Sequence, residues 1–319
     1  YIVEHSLLPD KNFTQLATVP ATAGKIVYSY RDSGLGYGET YYYRVKAKSG
    51  SGDSPYSTTV SATTFAQSKV FNIMPLGDSN THGTKSGDTR PDAQRIAYRK
   101  QLYDLLTGAK AKFLYVGSER AGSAFLSNDQ NAGFPAARTM DILSLLKTSS
   151  YRNQANELVS RGSGTYLDKF NPDVVLLHLG TNGGIYGVTD DEQAIAEMAG
   201  ILDEVDAYEA RSKKEVTVIL GLIINRVPQS GTDEAPGYTS RFNDRVKAMA
   251  ENRIKAKSDR IVVVDMEKSA GIVYQLSSKG GDMDDYLHPA PSGYQKMANK
   301  WFEALKPLLE PNAADTKAP

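Results

Sequence analysis

The stretch VFNIMPLGDSNTHG, Val70 to Gly83, decides how this chain is read. It begins as a short apolar run bounded by turn residues, the pattern of a strand buried on both faces of a parallel sheet. It stops abruptly at Gly77, Asp78, Ser79 and Asn80. Open α/β sheets carry their ligand chemistry at the carboxyl ends of the strands, so Ser79 stands where a nucleophile would stand. A serine in that position more often just caps the following helix. Its partners elsewhere in the chain decide between the two.

Outward from this strand the pattern repeats. Strand-like runs recur at Val70–Leu76, Lys112–Val116, Val174–Leu179, Val216–Leu222 and Ile261–Asp265. Helical patterns separate them at Ile96–Leu106, Met140–Lys147, roughly Gln154–Lys169, Asp190–Arg211, Ser240–Lys257 and Ser292–Leu305. Thr189 and Glu192 form a capping-box pair ahead of the fourth helix. Five strands with helical crossovers predict an α/β/α three-layer sandwich around a five-stranded parallel sheet, over residues 67–309. The Pro/Ala/Asp-rich end, residues 310–319, reads as a flexible tail.

Residues 1–66 have a different texture. Period-two alternation appears at Tyr1–His5, Gly24–Tyr28 and Tyr41–Ala47, separated by Gly, Ser, Asp and Pro clusters, and predicts a small all-β unit. Ser49–Asp53 reads as a hairpin into a last strand near Ser57–Thr63. The run LGYGETYYYRVKA, Leu35 to Ala47, followed by Gly52-Asp53-Ser54-Pro55-Tyr56-Ser57, resembles the second half of a fibronectin type III domain. The resemblance makes Tyr41 its tyrosine-corner residue and Tyr1–Glu4 its third strand, so that two of that family's strands are missing from this sequence.

Composition narrows the function classes. The 319 residues carry 37 basic and 37 acidic side chains, which gives no electrostatic footprint for nucleic acid or an anionic membrane. No apolar run approaches a membrane span. The absence of cysteine removes disulfides, thiolate catalysis and cysteine-ligated metals together. A start at Tyr1 rather than Met marks an expected processed or truncated product.

Three further segments fall where strands end or helices begin. They are Asn131-Ala132-Gly133-Phe134-Pro135-Ala136, then His178-Leu179-Gly180-Thr181-Asn182, and Asp285-Tyr286-Leu287-His288-Pro289. Parallel strands point the same way, so the loops after Leu76 and Leu179 open on one edge of the sheet. With Gly77-Asp78-Ser79-Asn80 they resemble, in order, the four blocks of the SGNH (GDSL-type) hydrolases across residues 69–309. There is no G-x-S-x-G element, which separates the chain from the ordinary α/β-hydrolases.

The resemblance implies a serine esterase. Ser79 would attack the ester carbonyl, His288 would take and return the proton, and Asp285 would orient the imidazole. It implies an oxyanion site made of the Ser79 N–H, the Asn182 amide and a second-block N–H, from Gly133 or Ala136. Asp78 and His82 are candidate substrate contacts. His178 sits inside an apolar strand as a core histidine, and Gly183-Gly184 is a plain turn with no phosphate-loop Lys after it. Asp282, Asp284 and Asp285 read as a solvated loop, not a metal site, and Trp301 as possible sugar-stacking surface. No cofactor or metal is expected, and the partner is an ester substrate, small-molecule or polysaccharide. The GDSN form of the first block most resembles carbohydrate esterases that remove acetyl groups from plant polysaccharides. An appended fibronectin module implies a secreted bacterial enzyme. A short-chain lipase or arylesterase, and a glycan-binding module without turnover, are the alternatives.

Overall fold

A computed structural model describes residues 1–24, 27–36, 38–64, 69–182, 191–227 and 237–309. They divide into two compact units, residues 1–69 with 108–111 and 306–309, and residues 70–107 with 112–305. Among the described residues no helix is long and apolar enough to cross a membrane. The Thr189 cap, Gly183-Gly184 and the 310–319 tail lie outside the described residues.

The first unit is an antiparallel sheet of four strands, β1 (Ile2–Ser6), β2 (Thr14–Thr18), β3 (Thr40–Lys46) and β6 (Val60–Thr63), in the order β2-β1-β3-β6. A small hairpin of β4 (Lys48–Ser49) and β5 (Gly52–Asp53) follows β3. Arg44 lies between the rings of Phe13 and Tyr56, 4.0 and 3.9 Å from their centroids, and pairs with Glu4. The Tyr41 hydroxyl accepts the Gly36 N–H at 3.0 Å. β2 was not expected: Thr-Gln-Leu-Ala-Thr has too few apolar residues to announce a strand. Val27 and Tyr28, at the end of the expected Gly24–Tyr28 strand, are not in a strand, while Lys25 and Ile26 lie outside the described residues.

The second unit is built on β7 (Phe71–Gly77), which the chain enters first and leaves at the centre of the sheet. On one side β7 pairs in parallel with β8 (Phe113–Tyr115) and, further along, with β10 (Gln130–Gly133), which itself pairs antiparallel with β9 (Glu119–Arg120). On the other side lie β13 (Val174–His178), β14 (Thr217–Leu222) and β15 (Ile261–Asp265), all parallel. The sheet therefore has seven strands where the sequence predicts five. The two additions are short and polar, and pairing with neighbours, not an apolar run, makes them strands.

Alternation along the strands serves both faces, as a pleated strand demands. Met74, Leu76, Val175, Leu177, Val218 and Leu220 share a core with α3 (Thr139–Thr148), α5 (Asp191–Ser212) and α6 (Tyr238–Lys257), through Ile142, Leu145, Met198, Ile201 and Val246. On the opposite face Tyr98, just ahead of α2 (Arg99–Gly108), packs 5.6 Å from the ring of Trp301 in α7 (Pro291–Leu309). Trp301 is fully buried and a Cβ on Gly221 would meet its ring at 2.7 Å. It is core, not sugar-stacking surface.

The helix expected over Gln154–Lys169 is absent. Instead β11 (Ser150–Arg152) and β12 (Leu158–Ser160) form a hairpin, and only α4 (Tyr166–Phe170) is helical. Asn153 closes the turn by accepting the N–H groups of Ala155 and Glu157, and Asn156 takes a left-handed φ of 60°. Gly162 and Gly164 are also left-handed, which ends any helical continuity before Tyr166.

Candidate active site

β7 is where the strand order reverses, so the crevice beyond β7 and β13 is the topological switch point of the sheet. Gly77 and His178 are partners in the β7–β13 register. Ser79 follows Gly77 at the start of α1 (Ser79–His82), and Asn182 follows His178 by four residues. Asp78 caps that turn: its Oδ1 accepts the Asn80 N–H at 2.9 Å. Ser79 is thus the first residue of a helical turn, where its own N–H has no intrahelical partner.

Ser79 Oγ lies 2.9 Å from His288 Nε2. The other ring nitrogen of His288 lies 2.9 and 2.8 Å from the two Asp285 oxygens. Asp285 Oδ1 also accepts the N–H groups of Leu287 and His288, each at 2.8 Å, and Oδ2 accepts the Ser86 N–H at 3.0 Å. Burial by itself pushes the Asp285 carboxyl up. The hydrogen bond and charge of His288, with the Leu287 and Ser86 N–H groups, outweigh it and hold the carboxyl well below the usual carboxylate range. Asp285 is therefore anionic, and it fixes a proton on His288 Nδ1, leaving Nε2 to accept from the serine hydroxyl. This arrangement can activate an oxygen nucleophile.

In the second block the N–H groups of Gly133 and Ala136 differ in whether they are already committed. The Gly133 N–H is already given to Asn131 Oδ1 at 2.9 Å. A Cβ on Gly133 would sit 2.5 Å from His82 N, so glycine here permits close packing of β10 against α1. Ala136 is exposed, has φ 60°, and its N–H makes no hydrogen bond among the described residues. Asn182 Nδ2 donates to Ala137 O at 3.1 Å, which ties the third block to the second and leaves that amide a further N–H. The N–H groups of Ser79 and Ala136 and one Asn182 amide N–H are therefore uncommitted among the described residues.

The two candidate substrate contacts, Asp78 and His82, are both buried. Asp78 is closed off from solvent, its Oδ1 committed to the cap. Its Oδ2 has no hydrogen-bond partner. Burial raises its pKa from 3.8 to about 6, an effect only partly offset by the Asn80 N–H, the His288 charge and the nearby Thr181 groups. His82 is 6% exposed, with Nδ1 2.7 Å from Thr84 Oγ1. Burial, and then the Arg99 charge, lowers its pKa to about 4. His178 is fully buried, accepts the Ile224 N–H at 3.3 Å, and burial lowers its pKa to about 4. His5 pairs with Asp32 in the first unit.

The carboxylates around residue 285 diverge onto separate cations, Asp282 to Lys296 and Asp284 to Lys85. Among the described residues no group of three or more His, Asp or Glu side chains could hold a metal ion.

Several supporting residues went unread in the sequence. Arg99 is fully buried and donates to the carbonyls of Thr81, His82, Arg95 and Ala121, so its guanidinium clamps the end of the Ser79 turn. Arg226 donates to Thr181 O at 2.7 Å beside Asn182. Only buried position within the fold marks these two arginines.

Fold and site together describe a carboxylic ester hydrolase. The chain belongs to the GDSL-like lipase/acylhydrolase family, which matches residues 73–301. It is similar to a multidomain esterase of Ruminococcus flavefaciens, 24% identical over 255 residues, or 76% of this chain and 29% of that protein. The chain thus spans less than a third of that relative. Its fold is similar to that of a family 3 carbohydrate esterase of Clostridium thermocellum, with 22% identity, a TM-score of 0.52, and coverage of 76% of this chain and 98% of the other. An acetyl esterase mutant with an acetate ion shares the fold at 20% identity and a TM-score of 0.53, over 75% of this chain and 98% of the other.

Proposed function

We propose that the chain removes short acyl groups, acetyl foremost, from carbohydrate esters, with Ser79 as nucleophile. The observation that carries this is the unbroken line from Ser79 Oγ through His288 to Asp285, at 2.9 and 2.8 Å. His288 takes the Ser79 proton as Oγ attacks the ester carbonyl, and the N–H groups of Ser79, Ala136 and Asn182 receive the developing oxyanion. The ester C–O bond then breaks, its electron pair goes to the alcohol oxygen, and His288 returns the proton to that oxygen. Water repeats the sequence on the acyl-enzyme and frees the acid. The carbohydrate and acetyl parts of the reading are supported by the GDSN first block and by the names of the fold neighbours.

For residues 1–66 we infer a partial fibronectin type III-like module. The Tyr41 hydroxyl reaching back to the Gly36 N–H, as a tyrosine corner does, supports it.

The test is hydrolysis of acetylated xylan and of p-nitrophenyl acetate, butyrate and octanoate by the native chain and by Ser79→Ala. Loss of all turnover in the variant, with an unchanged circular dichroism spectrum, and a preference for acetyl are expected. Substantial residual turnover in Ser79→Ala overturns the assignment of the nucleophile. A preference for octanoate replaces the carbohydrate reading with a lipase.

A further inference from the structure

A cavity of about 300 Å³ opens beside the site and is lined by His288 but by none of Ser79, Ala136 and Asn182. Its volume is at the lower end of small-ligand pockets, with room for a sugar ring. It lies between the loop leaving α1, the start of α2 and the start of α7.

Its lining has a definite chemistry. The cations that reach it are already neutralised: Lys85 pairs with Asp284 at 2.6 Å, and Arg90 with Asp88 at 2.8 Å. An anionic occupant therefore finds no free charge here. The neutral polar groups are unspent. The Gln94 amide and the Tyr294 hydroxyl make no hydrogen bond to the described chain, and Gln101 Oε1 has no partner. Phe125 offers a ring that is 53% exposed. Neutral donors and acceptors beside one open aromatic face match a polyhydroxylated ring, whose C–H face stacks while its hydroxyls hydrogen-bond.

Resting on the esterase reading above, we propose that this cavity is the subsite for the alcohol part of the ester, and that its occupant is a sugar ring. It adjoins the imidazole that must protonate the leaving oxygen, while the three oxyanion N–H groups lie outside it. Gln94 and Phe125 are the specificity-determining residues. Both are on the surface, outside the Ser79–His288–Asp285 line, so their removal leaves the chemical step intact.

The experiment compares kcat/KM for acetylated xylo-oligosaccharides with that for ethyl acetate, whose two-carbon alcohol has no ring to stack and no hydroxyls to hydrogen-bond. Gln94→Ala and Phe125→Ala are each expected to lower kcat/KM on the sugar ester by about three- to ten-fold, the range for one neutral contact. On ethyl acetate both are expected to stay within about two-fold of the native chain. Deacetylated xylo-oligosaccharide should inhibit the native chain competitively and each variant more weakly. Equal losses on both esters, or no loss on the sugar ester, overturn the subsite while leaving the esterase reading standing. A native chain that cleaves neither ester overturns the esterase reading and, with it, a leaving-group role for the cavity.

Discussion

Gly77 and His178 face each other across two central parallel strands, so closely that a Cβ on Gly77 would lie 2.2 Å from the His178 carbonyl oxygen. The same Cβ would lie 2.6 Å from Thr81 Oγ1. The absence of a side chain at residue 77 therefore brings the turn that carries Ser79 down onto the strand that leads to Asn182. Gly77→Ala must separate the two strands or displace the turn. A loss of about 3 kcal/mol or more, above the common range for overpacking, is expected. Urea unfolding would show it as a lower midpoint, and kcat should fall even in the fraction that remains folded.

In the mechanism we propose, Asp285 fixes the tautomer of His288 and stabilises the imidazolium that forms as Ser79 gives up its proton. Asp285→Asn keeps the shape and removes the charge. A fall in kcat of about 10³- to 10⁴-fold is expected, as for other triads that lose the carboxylate. KM should move little, because Asp285 acts through the His288 ring it hydrogen-bonds. Initial rates at saturating and limiting ester would separate the two effects.

Ala136 and Asn182 make opposite predictions although both are assigned to the same oxyanion. Asn182→Ala deletes one donor and should cost about 10²- to 10³-fold in kcat. Ala136→Gly keeps the N–H and suits a φ of 60° better than alanine does. Activity should be retained, and stability should rise by about 0.5 kcal/mol, once the greater freedom of glycine in the unfolded chain is set against the relieved strain. A large loss of kcat in Ala136→Gly would remove this N–H from the oxyanion site.

Asp78 links stability to pH. Its folded pKa, raised from 3.8 to about 6, means that the folded protein holds this proton over a range in which the unfolded chain has released it. Stability from this group therefore falls as pH rises from 3.8 to about 6, and the penalty is complete above that window. Asp78→Asn keeps an oxygen for the Asn80 N–H and removes the charge. It should stabilise the fold at pH 8 by up to roughly 3 kcal/mol, with the gain shrinking toward pH 4. It should also lower kcat at pH 8, because a negative charge near the His288 imidazolium is lost. Chemical unfolding at both pH values, beside rates at pH 8, tests the two halves separately.

What could be read from the sequence followed what side chains announce. Ser79 and Asn182 are polar residues just beyond apolar strand runs, which puts both on one edge of the sheet, whereas Asp285 and His288 follow no apolar run and are legible only through the family resemblance. The α/β layering was legible because strands buried on both faces leave nearly continuous Val, Ile and Leu runs. Over Gln154–Lys169 a few apolar residues mimic a helical stripe, but Asn153, Gly162 and Gly164 set turns there. β9 and β10 are strands only through the neighbours that hold them. The second block could not be assigned because nothing in an alanine shows that its backbone is left-handed. Nor does Arg99 disclose from its identity that it spends its donors on four carbonyls beneath the nucleophile turn.

Asp285 and His288 sit three residues apart on one short loop, with the carboxylate also held by two N–H groups of that loop. Carboxylate and imidazole are thus machined as a single part, whose internal fit survives any rigid displacement of the loop. The tertiary structure has one remaining tolerance to meet, the 2.9 Å gap to a serine 209 residues away. On the mechanism we propose, a shift of that loop by about 1 Å would cost on the order of 10²-fold in rate without dismantling anything in the fold. Ser86, whose N–H reaches Asp285 from just beyond the nucleophile turn, is the strut that spans that gap from the other side.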